Sequence, residues 1–478
     1  MAYQISSTNE RSSLGIGESM NIFQMPSVDV GVSKVRYVDF QPINQLKRDS
    51  GMEFVITNLG NQYIDLRRTY LKIKARIIQG NGNPLPSPIS VPTPTPTPTP
   101  SSEDSTTPTK PVLNTTPEGA KVGPVNNWMH SIFSQIDVYF QNKLVSSSND
   151  CYPFEAMFGT LLNFGEGAKQ THLASQLFSK DFKPMDDANV FGPNHGLTER
   201  SLYTQESRVV DMTAPLMLDV FSINKYILNN VEIKVKLWPS NSAFHLMSDA
   251  ASPDFRVDII EAQLSVCIVT PTREMLISHQ DVLEKEKFMA TYQFMKTDIK
   301  KYSIAAGLLQ FRVDNVYQGN IPTRFVIAMT SEEGVNGSYT RNPFNFKHYS
   351  VRYINVSVDN ESIPSAPYHF KFGNDAYTSN CVDGYLSLYG RERLMEEKNS
   401  GLFISRKDYV NGYTMFVYDL EPDIKNEEDG NVWPTFKRGN LRVELNFDQK
   451  LPETVSVIMF ATFPHMLKID HARAVYVT

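Results

Sequence analysis

The feature that most constrains this chain is a two-residue alternation of apolar and polar side chains that keeps returning along it. Leu71, Ile73, Ala75 and Ile77 alternate with Lys72, Lys74 and Arg76, and Ile136, Val138 and Phe140 with Asp137, Tyr139 and Gln141. Val231, Ile233, Val235 and Leu237 alternate with Glu232, Lys234 and Lys236. Further on, Ile354, Val356 and Val358 alternate with Asn355, Ser357 and Asp359, and Leu441, Val443, Leu445 and Phe447 with Arg442, Glu444 and Asn446. Successive side chains of a strand point to opposite faces, so this period predicts strands with one face buried and the other wet. Helical spacing is scarce. Pro153 to Phe164 reads as a short helix, with proline near its first turn and Gly165 at its end. Arg273 to Met289, with Met275, Leu276, His279, Val282 and Leu283, reads as another. The chain is predicted to be mostly antiparallel β.

The strands also recur in the same order in both halves. Gln135–Asn142 resembles Tyr353–Asn360, Asn230–Leu237 resembles Asn440–Phe447, and Leu264–Ile268 resembles Val455–Met459, at offsets of 218, 210 and 191. Offsets that shrink in order mark insertions in the first half. Three matches in one order predict two copies of one β-domain, joined around Thr272 to Ala290. Roughly ten strand-like segments per half suit a sandwich whose edges are managed by Greek-key wrapping, such as a jelly roll. The expected fold class is all-β: two tandem antiparallel β-sandwiches with a few short helices in connecting loops.

Composition narrows the function. Of 29 prolines, 12 fall between Gly80 and Pro124, a stretch without an aromatic residue. Its centre, Pro92 to Pro100, alternates proline and threonine, so it can only be polyproline II or irregular. An exposed low-complexity loop is expected there, in preference to a docking site for a proline-binding partner, and deleting Leu85 to Pro117 is expected to leave assembly intact. The net charge is −6, from 46 basic and 52 acidic residues, which gives no overall pull toward nucleic acid or anionic membrane. Charges up to Lys34 sum to −1, so a basic genome-binding arm is absent. That N-terminal arm is expected to stay flexible until something docks it. No secretory leader is expected, and no window reaches the ~18 apolar residues of a transmembrane segment. Cys151, Cys267 and Cys381 are too few, and odd in number, for a disulfide framework, which points to a reducing compartment.

A search for chemistry finds little. Neither a Gly-x-Ser-x-Gly elbow nor a His-Glu-x-x-His helix occurs. Gly165–Thr171 looks faintly like a phosphate loop, but its glycine spacing is wrong, and a helix-terminating loop is the preferred reading. The nine histidines show no close pairing of metal-ligand spacing, and the cysteines lie too far apart for a zinc set. The acidic loop with Asp419, Glu421, Asp423, Glu427, Glu428 and Asp429 does not match a calcium-binding EF-hand and reads as solvated. Arg341–Tyr349 interleaves aromatic and basic residues as a base-stacking platform would. The preferred reading is a loop anchoring its rings into a core. No catalytic, cofactor-binding or metal-ligating residue is nominated, and nothing argues for an enzyme.

Several segments resemble a known group. Ile223–Trp238 followed by Asn241–Met247, and Asn320–Met329 leading through Asn336-Gly337 into Asn342–His348, are similar to the major capsid proteins of Polinton/Maverick elements and adintoviruses. Tyr152-Pro-Phe-Glu-Ala156, with Leu161-Leu162 after it, fits as well. The resemblance runs from about Phe40 to the C-terminus, leaving out the Pro-Thr loop, and departs at Asp359-Asn360, where Asp-Gly is expected. It implies a double jelly roll, a homotrimer forming a pseudo-hexameric capsomer, and an icosahedral shell around double-stranded DNA. It also implies penton and minor capsid proteins as partners and the virion as location, with no cofactor and no sequence-specific nucleic-acid binding.

The expected division is then a flexible arm over 1–35, a first jelly roll over 36–275 with a Pro/Thr-rich surface loop at 80–124, a linker helix over 276–290, and a second jelly roll over 291–478. The competing reading is a non-catalytic tandem β-sandwich binding module for glycan or protein ligands. An all-β hydrolase ranks below it.

Overall fold

The structure, a computed structural model, describes residues 30–44, 51–57, 60–88, 117–390, 401–420 and 437–477. The first half supplies strands β1 (Val32–Phe40), β2 (Met52–Ile56), β3 (Tyr63–Gln79), β4 (Phe133–Phe140), β5 (Lys143–Ser147), β6 (Val210–Pro215), β7 (Ile233–Pro239) and β8 (Phe255–Pro271). The second supplies β9 (Ala290–Ile304), β10 (Gln310–Asn320), β11 (Arg324–Ser331), β12 (Val351–Val358), β13 (Glu361–Ser362), β14 (Met415–Asp419), β15 (Arg438–Phe447) and β16 (Val455–Ile469). The longer helices are α1 (Tyr152–Asn163), α2 (His195–Thr204) and α3 (Arg273–Glu284).

The alternation places side chains as its period demands. In β3, Leu71, Ile73, Ala75 and Ile77 are buried, while Lys74 and Arg76 sit opposite Glu261 and Asp258 of β8 and meet them at 2.7 and 2.9 Å. Such exposed cross-strand ion pairs contribute only ~0.2–1 kcal/mol each. The buried row does most of the stabilising, at ~25 cal/mol for each Å² of apolar surface removed from water.

Within each half the strands form two four-stranded paths, as a jelly roll requires. They run β1-β8-β3-β6 and β2-β7-β4-β5 in the first half, and β9-β16-β11-β14 and β10-β15-β12-β13 in the second. Every pairing between these strands is antiparallel. Adding eight to each strand number converts the first half's sheets into the second's. The three sequence matches fall on β4 and β12, β7 and β15, and β8 and β16, each pair holding the same place in its sheet. With the short strands Gly123–Pro124 and Leu246–Met247 in the first half, and Tyr368–His369 and Val475–Val477 in the second, the described residues hold ten strands per half, the number expected from the sequence.

Three boundaries differ from expectation. Residues 32–35, assigned to the arm, belong to β1, whose backbone pairs with β8 from Val32↔Pro271 to Phe40↔Leu264. The linker helix runs from Arg273 to Glu284 rather than over 276–290. Thr272 holds the extended N-cap conformation with Glu274 in the first turn, and Lys287 in the left-handed region (φ 55°) turns the chain toward β9. The Pro-Thr stretch is anchored on its first flank. Leu85 is buried in the first core and its backbone N–H donates to Ser207 Oγ at 2.7 Å. Residues 89–116 of that stretch, arm residues 1–29 and the acidic residues 421–429 lie outside the described residues.

Candidate functional site: the seam between the sandwiches

Helix α1 starts with Pro153 in its first turn and ends at Asn163, followed by extended Phe164. Ten of its 12 residues are buried, which marks a helix surrounded by protein on all sides. It lies between the two sandwiches. Phe154 meets Phe244 and Phe344 edge-on at 5.8 and 5.7 Å, and Phe158 stacks on Phe346 at 5.3 Å while meeting Phe460 of β16 at 5.6 Å. Phe344 and Phe346 come from the segment Arg341–Tyr349. Its rings point into the core, and its cations are engaged: Lys347 meets Asp186 at 2.8 Å and Glu453 at 3.3 Å, and Arg341 meets Glu453 at 3.4 Å. The segment is a ring anchor, as the preferred reading had it, and not a base-stacking platform.

A second junction is polar. Arg200 of α2 and Asp181 are each 1% exposed and form an ion pair at 2.7 Å. Arg200 also donates to the carbonyls of Pro124 (3.0 Å) and Ser179 (2.6 Å). From the second sandwich, Asn342 Nδ2 donates to Asp181 Oδ2 at 3.0 Å and Tyr413 donates to the Asp181 carbonyl at 3.0 Å. Nothing in the sequence marks this cluster, because Tyr413 lies 232 positions from the Asp181 it binds.

Buried titratable groups line the same seam. Burial, reinforced by the Asp219 charge, pushes the Glu155 carboxyl well above the usual carboxylate range; burial lifts Asp219 itself to about 6 against hydrogen bonds from Ser146 and Val220. Burial lowers His130 to about 4 and His245 to about 3. His130 Nδ1 lies 2.8 Å from the Tyr152 hydroxyl and Nε2 lies 3.3 Å from Gln176 Oε1, so one neutral tautomer satisfies both partners. The three cysteines are free and buried, and burial raises Cys151 to about 11, which makes it a poor nucleophile.

Gly165–Thr171 contains the short helix Glu166–Gln170, and Lys169 turns inward to donate to the carbonyls of Leu161 (2.8 Å) and Leu402 (2.6 Å). A phosphate-binding lysine must face its ligand; this one fastens α1 to the second half instead. Burial, with Lys180 nearby, lowers it to about 7. Asp419 ends β14 at 4.0 Å from Arg324. Among the described residues, no group of three or more His, Cys, Asp or Glu side chains is arranged to hold a metal, and no helix is long and apolar enough to cross a membrane.

No protein-family model matches the chain. An uncharacterized protein of Caenorhabditis elegans is 23% identical over 460 residues, which cover 94% of this chain and 98% of that protein. Among solved structures, a chain of the Sputnik virophage is similar over 98% of this chain and 93% of its own, with a TM-score of 0.59 at 12% identity. The Faustovirus major capsid protein gives 0.55 at 8% identity over 96% of this chain and 93% of its own. A chain of the PBCV-1 virus capsid gives 0.54 at 7% identity over 96% and 99%. The chain therefore has the double jelly-roll fold found in viral major capsid proteins.

Proposed function

We propose that this chain is a major capsid subunit of the Polinton/Maverick and adintovirus group, a structural protein and not an enzyme. It trimerises into pseudo-hexameric capsomers, and these assemble an icosahedral shell around double-stranded DNA, with penton and minor capsid proteins as partners. The observation that carries this reading is likeness over nearly the full length of a virophage chain and a major capsid protein, with both jelly rolls in tandem. Physical form supports it. Two sandwiches of one topology, fused by α1 and the Asp181–Arg200 cluster, present two similar blocks per chain; three chains around an axis present six, which tile as a hexagon does. The net charge of −6 suits a shell that encloses DNA without neutralising its phosphates.

Light scattering and electron microscopy on the purified chain test this directly. A mass of three chains and ring-like capsomers are expected; a monomer at every concentration would overturn the proposal.

The Pro-Thr insertion yields a separate prediction. Replacing residues 89–116 by a short Gly-Ser linker is expected to leave capsomer yield unchanged. Failure to form capsomers would make the insertion structural. The wider deletion from Leu85 to Pro117, which the sequence alone suggested would be tolerated, removes a buried leucine and leaves Ser207 without a partner it binds at 2.7 Å. Truncating such a side chain costs ~2–5 kcal/mol.

A further inference from the structure

An apolar cleft of about 460 Å³ opens between α3, the turn that follows it and the segment Asn224–Leu228. Tyr63, Tyr226, His279, Val282, Phe288 and Met289 are among its lining residues, and Phe288 is 62% exposed. Exposed apolar residues are ordinary when scattered, but a contiguous set around a concavity marks a place where something binds. One wall is built: the Tyr63 hydroxyl and His279 Nδ1 are 2.9 Å apart and their rings stack at 5.8 Å.

The chain passes close to this cleft at its first described residues. Thr272, which caps α3, donates its N–H to the Gly31 carbonyl at 2.9 Å and its hydroxyl to the Val30 carbonyl at 3.2 Å. An α-helix rises ~1.5 Å per residue, so His279 and Val282 lie roughly 10 and 15 Å from that anchor. Just upstream of Val30 stands Met20-Asn-Ile-Phe-Gln-Met-Pro-Ser-Val28, an uncharged run with Met20, Ile22, Phe23, Met25 and Val28 between Glu18 and Asp29. At ~3.3 Å per extended residue, Met25 can reach about 17 Å from Val30 and Ile22 about 26 Å. The run and the cleft match in reach and in chemistry, since thioether and phenyl groups adapt well to a surface of Met289 and Phe288.

We propose that Met20–Val28 of this same chain docks into the cleft. A tethered segment has an effective concentration of the order of millimolar, far above that of a second copy's arm at micromolar protein, so modest contact energy suffices within one chain. The proposal concerns the chain alone and stands or falls independently of capsid assembly.

A cysteine pair tests it in the full-length protein. Phe23→Cys combined with Val282→Cys is expected to form an intrachain disulfide under mild oxidation at least about tenfold faster than Phe23→Cys combined with Tyr377→Cys, whose second site is exposed on the other sandwich. The native cysteines are buried, so they should not compete. An interchain dimer would overturn the proposal in favour of a neighbour's arm, and equal rates for the two pairs would overturn it outright. Hydrogen exchange provides an independent measurement on unmutated side chains. Amides of residues 282–292 should exchange at least several-fold faster in a chain starting at Val30 than in the full chain, and identical exchange would count against docking.

Discussion

Replacing Arg200 by methionine is expected to destabilise the protein by about 3–5 kcal/mol, the usual cost of stranding one partner of a buried ion pair. The substitution leaves the Asp181 carboxylate, 1% exposed, with Asn342 as its side-chain donor, and removes the donors now held by the Pro124 and Ser179 carbonyls. Because Asn342 and Tyr413 belong to the second sandwich, the loss loosens the seam as well as the α2 region. Thermal and urea unfolding should show a lower midpoint and a broader or split transition, the mark of halves that no longer unfold together. The double variant Asp181→Leu with Arg200→Met should recover much of the loss, since an apolar pair strands no charge. A shift below about 1 kcal/mol in the single variant would show that water relieves the stranded charge.

Acidification from pH 6.5 to 4 is expected to produce the second large effect. Burial holds His130 near 4 and His245 near 3, and burial aided by Lys183 and by Lys296 holds His348 and His465 near 4. An unfolded chain protonates its histidines near 6.5. Over this window the unfolded state therefore binds more protons, so stability falls as pH drops through 6.5, and the histidine contribution levels off only below about 4 for His130, His348 and His465 and below about 3 for His245. For the fully buried His130 and His245 the cost is on the order of 3 kcal/mol each; His348 and His465, being partly exposed and screened, add less.

Two carboxyls act in the opposite sense. Asp219, raised to about 6 by burial, and Glu155, which burial and the Asp219 charge hold well above the usual carboxylate range, bind protons more readily when folded, so they gain stability on acidification. The four histidines, two of them fully buried, outweigh these two carboxyls and the more exposed Asp249, which burial also raises, and leave a net loss. Melting temperatures measured from pH 7 to 4 should therefore fall, more steeply in Asp219→Asn and less steeply in His245→Asn. A flat profile in the unmodified protein would contradict this account.

The legible part of the fold was the part carried by short-range pattern. Strand period is a local property, so β3, β4, β7, β12 and β15 could be read from residues two apart, and so could the face each one buries. Duplication was legible because corresponding strands keep similar alternation in the same order. Short helix α1 was legible to within a residue at each end through its proline and the following glycine. The end of α3 was not, because its apolar spacing continues past Glu284 while Lys287 takes a left-handed turn that any apolar count ignores.

What the chain's order of residues determined by itself was its material: half-buried strands, two related halves, an unusual proline-threonine insertion and no recognisable catalytic motif. Tertiary structure alone decided which strands pair, how the halves join and where the polar groups end up. Val32 pairs with Pro271 across 239 positions, Lys169 reaches a carbonyl 233 positions away, and Arg200 meets Asp181 and, through it, Asn342. Such contacts depend on chain reversals and on the shape of a shared core, and no local pattern encodes them. The apolar cleft at α3 belongs to the same class. Its walls come from three separated segments, and each looks like ordinary core or loop until the fold sets them side by side.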